Sequence, residues 1–292
     1  MLQTLMCTMR IVLGVVALMA MGATFAAQSA PPGSGCRAVG RTQFLPAVPE
    51  ASGVALAEGA LWTHNDSGAP VLFRVDSGGR VMPVTVAGAE VRDWEDVASA
   101  SCPASTKGAP RETCLYIADI GDNRGSRQRI TIYQVPVPAP GTTSTKTAEA
   151  YHATYPDHPH DAEALLFTRP GTFIVTKEVP ARVYQFGTSL KPGETARLTF
   201  VRTLSEKVRV TGAAASPDGR WVALRSNTTL LIYKVEDFEK GAAPVRVDLR
   251  GFKEPQGEGV AFGPGGALYL VSEGGGRDAA GMLTRVHCAF IQ

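Results

Sequence analysis

A unit of about 45 residues recurs five times along the chain, and nothing else in the sequence narrows the fold as far. Each copy is a short apolar strand, a turn, a second strand, a polar loop and an aromatic-centred third strand. The copies open at Ser52, Glu95, Glu163, Thr211 and Glu258, so successive starts are 43, 68, 48 and 47 residues apart. A fourth strand is expected after the first four copies, at Met82–Ala87, Ala148–Tyr155, Arg197–Leu204 and Val245–Gly251. Four strands per repeat of this length predict an all-β fold, a five-bladed β-propeller. The fifth copy has no fourth strand of its own before Gln292, and the segment Ala38–Leu45 supplies it, closing the ring with an N-terminal strand. A six-bladed ring is the alternative, because the long Glu95–Glu163 interval has room for an irregular blade. With 31 Gly and 20 Pro in 292 residues, the turns such a fold needs are present.

The domain limits follow from the ends. Arg10 precedes an apolar run from Ile11 to Phe25 that leads to Ala26 and Ala27, the pattern of an export signal over residues 1–26, cleaved near Ala26. The run is shorter than the ~20 residues a membrane span requires. Residues 27–35 read as a flexible mature N-terminus and 36–292 as a single propeller domain, a secreted or periplasmic protein expected to be monomeric. Export leaves four cysteines in an oxidising compartment, where two disulfides are expected. Cys102 and Cys114 bracket a Pro/Ser/Thr-rich loop, which leaves Cys36 to join Cys288 and staple the ring.

The residues that open the copies carry the chemistry. In a propeller the first strand of each blade lines the central channel, so Ser52, Glu95, Glu163, Thr211 and Glu258 form a ring of three carboxylates and two hydroxyls. Like charges brought together in a partly dehydrated channel repel strongly unless a cation or protonation compensates. An all-oxygen set suits calcium, and the absence of Cys and His from the ring argues against zinc.

The order Ser, Glu, Glu, Thr, Glu resembles the calcium-activated nucleotidase (apyrase) family, five-bladed propellers that hold a central Ca²⁺ on such a column. The words Trp62–Asp66, Leu115–Ala118, Val222–Arg225 and Glu258–Phe262 are similar too, with Thr211 standing where that family has Ser. The phrases Asp93–Asp96, Ala118–Asn123 and His160–Ala164 also resemble exported bacterial propellers of unsettled activity. By position Lys177 and Arg225 match the residues that such nucleotidases present to phosphate. Asp66 or Asp119, in loops on the same face, would orient water as general base.

Two functions therefore stand open. One is a binding module whose upper face takes a protein, a glycan or a phosphorylated small molecule. The other is a calcium-dependent hydrolase of phosphate anhydrides or phosphoesters. A net charge of +2 with no Lys/Arg run excludes a nucleic-acid binder, and the sequence has no P-loop and no Gly-x-Ser-x-Gly elbow. Tyr155–His160 stands out as a crowded, histidine-containing turn.

Overall fold

A computed structural model of the chain describes residues 35–103, 112–187, 191–276 and 279–291. The expected export segment lies outside the described residues.

The strands form five sheets in a closed ring of blades. Blade 1 comprises Ala51–Ala57, Ala60–Asn65, Val71–Val75 and Val81–Thr85. Blade 2 has Trp94–Ser101, Thr113–Asp119, Ile130–Pro136 and Glu149–Thr154. Blade 3 has Ala162–Phe167, Thr172–Thr176, Arg182–Gln185 and Thr199–Thr203, and blade 4 has Gly212–Ala215, Trp221–Arg225, Thr229–Lys234 and Val245–Asp248. Blade 5 has Gln256–Phe262, Ala267–Glu273 and Gly281–Cys288, and its outer edge is completed by Cys36–Ala38 and Gln43–Leu45. The expected N-terminal closure is thus formed, in two short pieces, and the ring has five blades, not six. Cys36 lies opposite Cys288 in this closing pair and is disulfide-bonded to it, and Cys102 is bonded to Cys114.

The core is divided among the blade interfaces. Five apolar clusters occur, one between each pair of neighbouring blades, including Val54, Ala261 and Val271 where blade 5 meets blade 1. A blade is therefore buried on both faces, and its inner strands read as continuous apolar runs instead of alternating ones. Each fully buried Val, Leu, Ile or Phe in such a cluster contributes about 1.5–3 kcal/mol of transfer free energy.

Two elements depart from the repeat. Thr195–Arg197 pairs in parallel with Glu149–Thr154, so the connection leading to the last strand of blade 3 first adds a fifth strand to blade 2. A short helix, Val235–Lys240, follows the third strand of blade 4 and buries Val235 and Phe238 in the cluster between blades 3 and 4. Among the described residues no helix is long and apolar enough to cross a membrane.

Candidate functional site

The innermost strands pack against one another around the axis. At the positions expected to carry the ring, four of the five contain a bulge. The pairing shifts between Ala51 and Val54, between Trp94 and Asp96, between Ala162 and Ala164, and between Gly257 and Val260. A bulge inserts one unpaired residue and re-aims its side chain. The extra residue is Glu95 in blade 2 and Glu163 in blade 3 and falls within Ser52–Gly53 in blade 1 and Glu258–Gly259 in blade 5, and Thr211 precedes the unbulged strand of blade 4. All five side chains are buried, none more than 5% exposed.

The five do not act alike. Ser52 Oγ donates to the carbonyl of Glu95 at 2.7 Å, and Thr211 Oγ1 donates to the carbonyl of Gly257 at 2.9 Å. These hydroxyls tie one blade to its neighbour, blade 1 to 2 and blade 4 to 5. The carboxylates instead converge. Oxygens of Asp93, Glu95 and Asp161 all lie within 4.8 Å of one another. Lys177 Nζ contacts Glu163 Oε1 and lies 4.0 Å from Asp161 Oδ2. Glu258 Oε1 accepts from Gln256 Nε2 at 2.8 Å, while its buried Oε2 meets no hydrogen-bond donor among the described residues.

Asp93 and Asp161 were not among the expected ligands, yet they complete the cluster. Each stands two residues before a ring glutamate, in Asp93-Trp94-Glu95 and Asp161-Ala162-Glu163. This repeated Asp-x-Glu spacing was the available signal, since residues i and i+2 of an extended chain point the same way. Gly121 makes room for the pair in blade 2, because a Cβ there would come within 2.2 Å of Glu95 Oε1 and 2.5 Å of Asp93 Cγ.

Electrostatics register the crowding. Burial, then repulsion from Asp93, pushes the Glu95 carboxyl up to about 9, although Lys177 opposes the shift. Burial raises Glu258 to about 7. Asp93 and Glu273 are raised as well, by burial first and then by neighbouring carboxylates. Asp66 at the mouth is raised to about 7 by burial and by Glu50, Glu273 and Asp93, and its buried Oδ1 has no hydrogen-bond partner among the described residues.

The other two expected site residues are placed elsewhere. Arg225 is completely buried between blades 4 and 5. Its guanidinium donates to Glu254 Oε2 at 2.5 Å and to the carbonyls of Gly259 and Val271 at 2.6 and 2.8 Å. It is therefore not presented to phosphate on the rim. Asp119 accepts from Arg127 Nη1 at 2.8 Å and from the backbone N–H of Asp93 at 3.1 Å, and is 1% exposed. Its carboxylate braces the blade 2 loop and is not free to orient water. Of the two candidate bases, Asp66 alone faces the acidic mouth.

Beneath the ring the channel closes. A Cβ on Gly53 would sit 2.3 Å from the backbone nitrogen of Val97, and one on Gly259 2.5 Å from the carbonyl oxygen of Ser52. His64, fully buried, accepts from the N–H of Gly53 through Nε2 and places Nδ1 3.0 Å from the carbonyl of Asn65. Burial lowers it to about 4, so it is the neutral Nδ1–H tautomer. The site is a one-sided acidic cup that opens on the upper face.

No protein-family model matches the sequence, and no curated protein matches it. Among solved structures the chain is similar to the PQQ-bound aldose sugar dehydrogenase of Streptomyces coelicolor, with 12% identity and a TM-score of 0.48 over 89% of this chain and 99% of that one. A gluconolactonase from Xanthomonas campestris aligns with 12% identity and a TM-score of 0.46, covering 82% of this chain and 74% of that one. The apo-form soluble aldose sugar dehydrogenase of Escherichia coli aligns with 9% identity and a TM-score of 0.49, covering 85% and 99%. At this level of likeness no ligand or reaction transfers to the chain, and the five-blade architecture rests on its own sheets.

Proposed function

We propose that this protein is an exported propeller whose upper cup holds a hard divalent cation, calcium by its donor set, and uses it to bind a partner rich in oxygen donors, such as a glycan or a phosphorylated small molecule. The observation that carries this reading is the convergence of Asp93, Glu95 and Asp161, with the buried Oε2 of Glu258 left without a donor among the described residues. Unpaired buried carboxylate oxygen is expensive, and an all-oxygen set fits calcium better than a transition metal. Two disulfides and the export-like N-terminus support a protein outside the cytosol.

In this arrangement Asp93, Glu95, Asp161 and Glu258 would hold the ion. Ser52 and Thr211 fix the strands that carry them. Lys177, tethered at the rim, neutralises Glu163 and Asp161. When bound, the cation supplies polarisation of a ligand oxygen. A hydrolytic reading rests on a separate observation, the Asp66 carboxyl raised to about 7 at the mouth, where a base poised near neutrality would serve water attack. The blade-start resemblance to calcium-activated nucleotidases makes phosphate anhydrides and phosphoesters the substrates to try.

Calorimetric titration of chelator-stripped protein with Ca²⁺, followed by a phosphate-release panel with Ca²⁺ and with EDTA, tests both. One Ca²⁺ per chain with no turnover supports the binding module, and Ca²⁺-dependent turnover abolished in Asp66→Asn supports the hydrolase. Absence of heat on titration at millimolar Ca²⁺ refutes the cation site.

A further inference from the structure

A second group of metal donors lies outside the cup, in the turn between the outer part of blade 2 and the first strand of blade 3. Donor atoms of Asp157, His158 and His160 lie within 4.8 Å of one another. Their chemistry differs from that of the cup, with two imidazoles and one carboxylate in place of an oxygen set.

What distinguishes this cluster from a chance meeting of polar groups is the state of the imidazoles. His160 places Nδ1 3.2 Å from Glu178 Oε1 and Nε2 3.1 Å from Asp157 Oδ1. His158 places Nδ1 3.0 Å from the carbonyl of Pro159, with Nε2 4.0 Å from Asp157 Oδ2. When each Nδ1–H is donated to its oxygen, each Nε2 carries the lone pair, and both Nε2 atoms face the same carboxylate. A ligating histidine normally has its other N–H held by a carboxylate or carbonyl in this way, which fixes tautomer and ring orientation. The Tyr184 hydroxyl stands 2.6 Å from His160 Nε2 and 3.0 Å from Asp157 Oδ2, at the edge of the same space. His160 is 4% exposed and packed edge-on against Tyr155, so the inner ligand is rigid. Asp157 and His158 are exposed, which leaves a path of entry.

We propose that Asp157, His158 and His160 form a site for a borderline transition-metal ion of the zinc class, with Glu178 as the positioning partner of His160 and Tyr184 beside the fourth position. Imidazole with carboxylate suits Zn²⁺ and its neighbours, and is a poor set for Ca²⁺. Arg182 is the competing cation. Its Nη1 lies 2.6 Å from Asp157 Oδ2 and 3.4 Å from His160 Nε2. With a side chain 31% exposed and stacked 5.1 Å from Phe200, it can keep Oδ2 while the ion takes Oδ1, or withdraw toward Glu178. The ion would clasp the turn carrying Asp161 to the loop carrying Lys177, two residues of the cup.

The test uses tag-free mature protein stripped with EDTA. Zn²⁺ is titrated against a chromophoric chelator, and Co²⁺ is followed by its visible absorption. The wild type is expected to take one Zn²⁺ with micromolar or tighter affinity, unaffected by excess Ca²⁺, and to give a Co²⁺ spectrum typical of low coordination. Glu178→Gln should weaken binding about 10–100-fold, the usual effect of removing a partner behind a ligand. His158→Ala, at an exposed position, should leave the metal-free melting temperature unchanged and abolish both signals. Arg182→Gln should tighten binding. Glu95→Gln, in the cup, should leave it unchanged, so failure of this site and failure of the calcium site are read separately. Zn²⁺ affinity equal in wild type and His158→Ala, or no uptake by the wild type, overturns the proposal.

Discussion

Replacing Glu95 by Gln removes one ionisable group from the acidic cup with almost no change of shape, and the two effects it should have are opposite in sign. Without metal, folding carries Glu95 from a carboxyl with an ordinary value of 4.5 to one raised to about 9. The native chain therefore takes up a proton that the unfolded chain does not hold. At about pH 7.5 the uptake costs at most about 4 kcal/mol, from three pH units at 1.36 kcal/mol each. The amide in Glu95→Gln has no such requirement, so the metal-free variant should be more stable than wild type. Calcium acts the other way and narrows this gap, because in the variant one of the four candidate ligands has lost its charge. A ligand at 100 times its dissociation constant stabilises the native state by about 2.7 kcal/mol. At about 2–4 °C per kcal/mol for a domain near this size, wild type should gain about 5–10 °C. Scanning calorimetry of both proteins in EDTA and in millimolar Ca²⁺ reads all four numbers. A variant less stable than wild type in EDTA would refute the burial argument. Equal calcium shifts in the two proteins would remove Glu95 from the site.

The same groups set the pH response. Asp66 and Glu258 at about 7 and Glu95 at about 9 are all raised, so the native state binds more protons than the unfolded state above about pH 4.5. Metal-free stability should fall from pH 5 toward pH 9, while calcium affinity climbs over the same range; melting curves that rise with pH in EDTA would contradict this. Arg225→Met leaves Glu254 buried and unpaired, and should cost about 3–5 kcal/mol. Adding Glu254→Gln should recover much of that loss, as denaturant titration would show, and a single variant as stable as wild type would show that Arg225 does not compensate a buried Glu254 charge.

The blades were legible because each repeats the same solution to the same problem. A sheet buried on both faces needs continuous apolar strands, and five such sets separated by turn residues admit few arrangements. The cysteines carried the closure, since Cys36 and Cys288 fall at the two edges that must meet. The site was legible only in part, because the repeat shows which residues occupy equivalent positions and not what each touches. Ser52 and Thr211 are equivalent to the glutamates by position, yet a hydroxyl within reach of a neighbouring carbonyl donates to it and becomes a link between blades. Arg225 shows the same limit. It follows Trp221 and Ala223 on one side of its strand, and Ala223 belongs to the cluster between blades 4 and 5. Alternation alone sends the guanidinium into that interface, whereas reading it as the first residue of a rim loop sends it to solvent.

Asp96 bears on why the cup is one-sided. It follows ring residue Glu95 as Gly53, Ala164, Gly212 and Gly259 follow theirs. Those small residues occur where innermost strands nearly touch; a Cβ on Gly212 would lie 2.7 Å from the carbonyl oxygen of Glu258. Blade 2 places a carboxylate in this crowded layer. Its Oδ2 accepts from the N–H of Leu165 in blade 3 at 2.9 Å and of Ala213 in blade 4 at 3.4 Å, and Oδ1 accepts from Val97 at 2.9 Å. Inner strands that pair only within their own blades leave backbone donors turned toward the axis, and buried donors need partners. One carboxylate satisfies three of them and joins three blades. Burial raises Asp96 well above the usual carboxylate range, and the three N–H bonds oppose that shift. With all three of these donors satisfied by Asp96, the acidic side chains left to meet a cation are those of the layer above, where Asp93, Glu95, Asp161 and Glu258 stand.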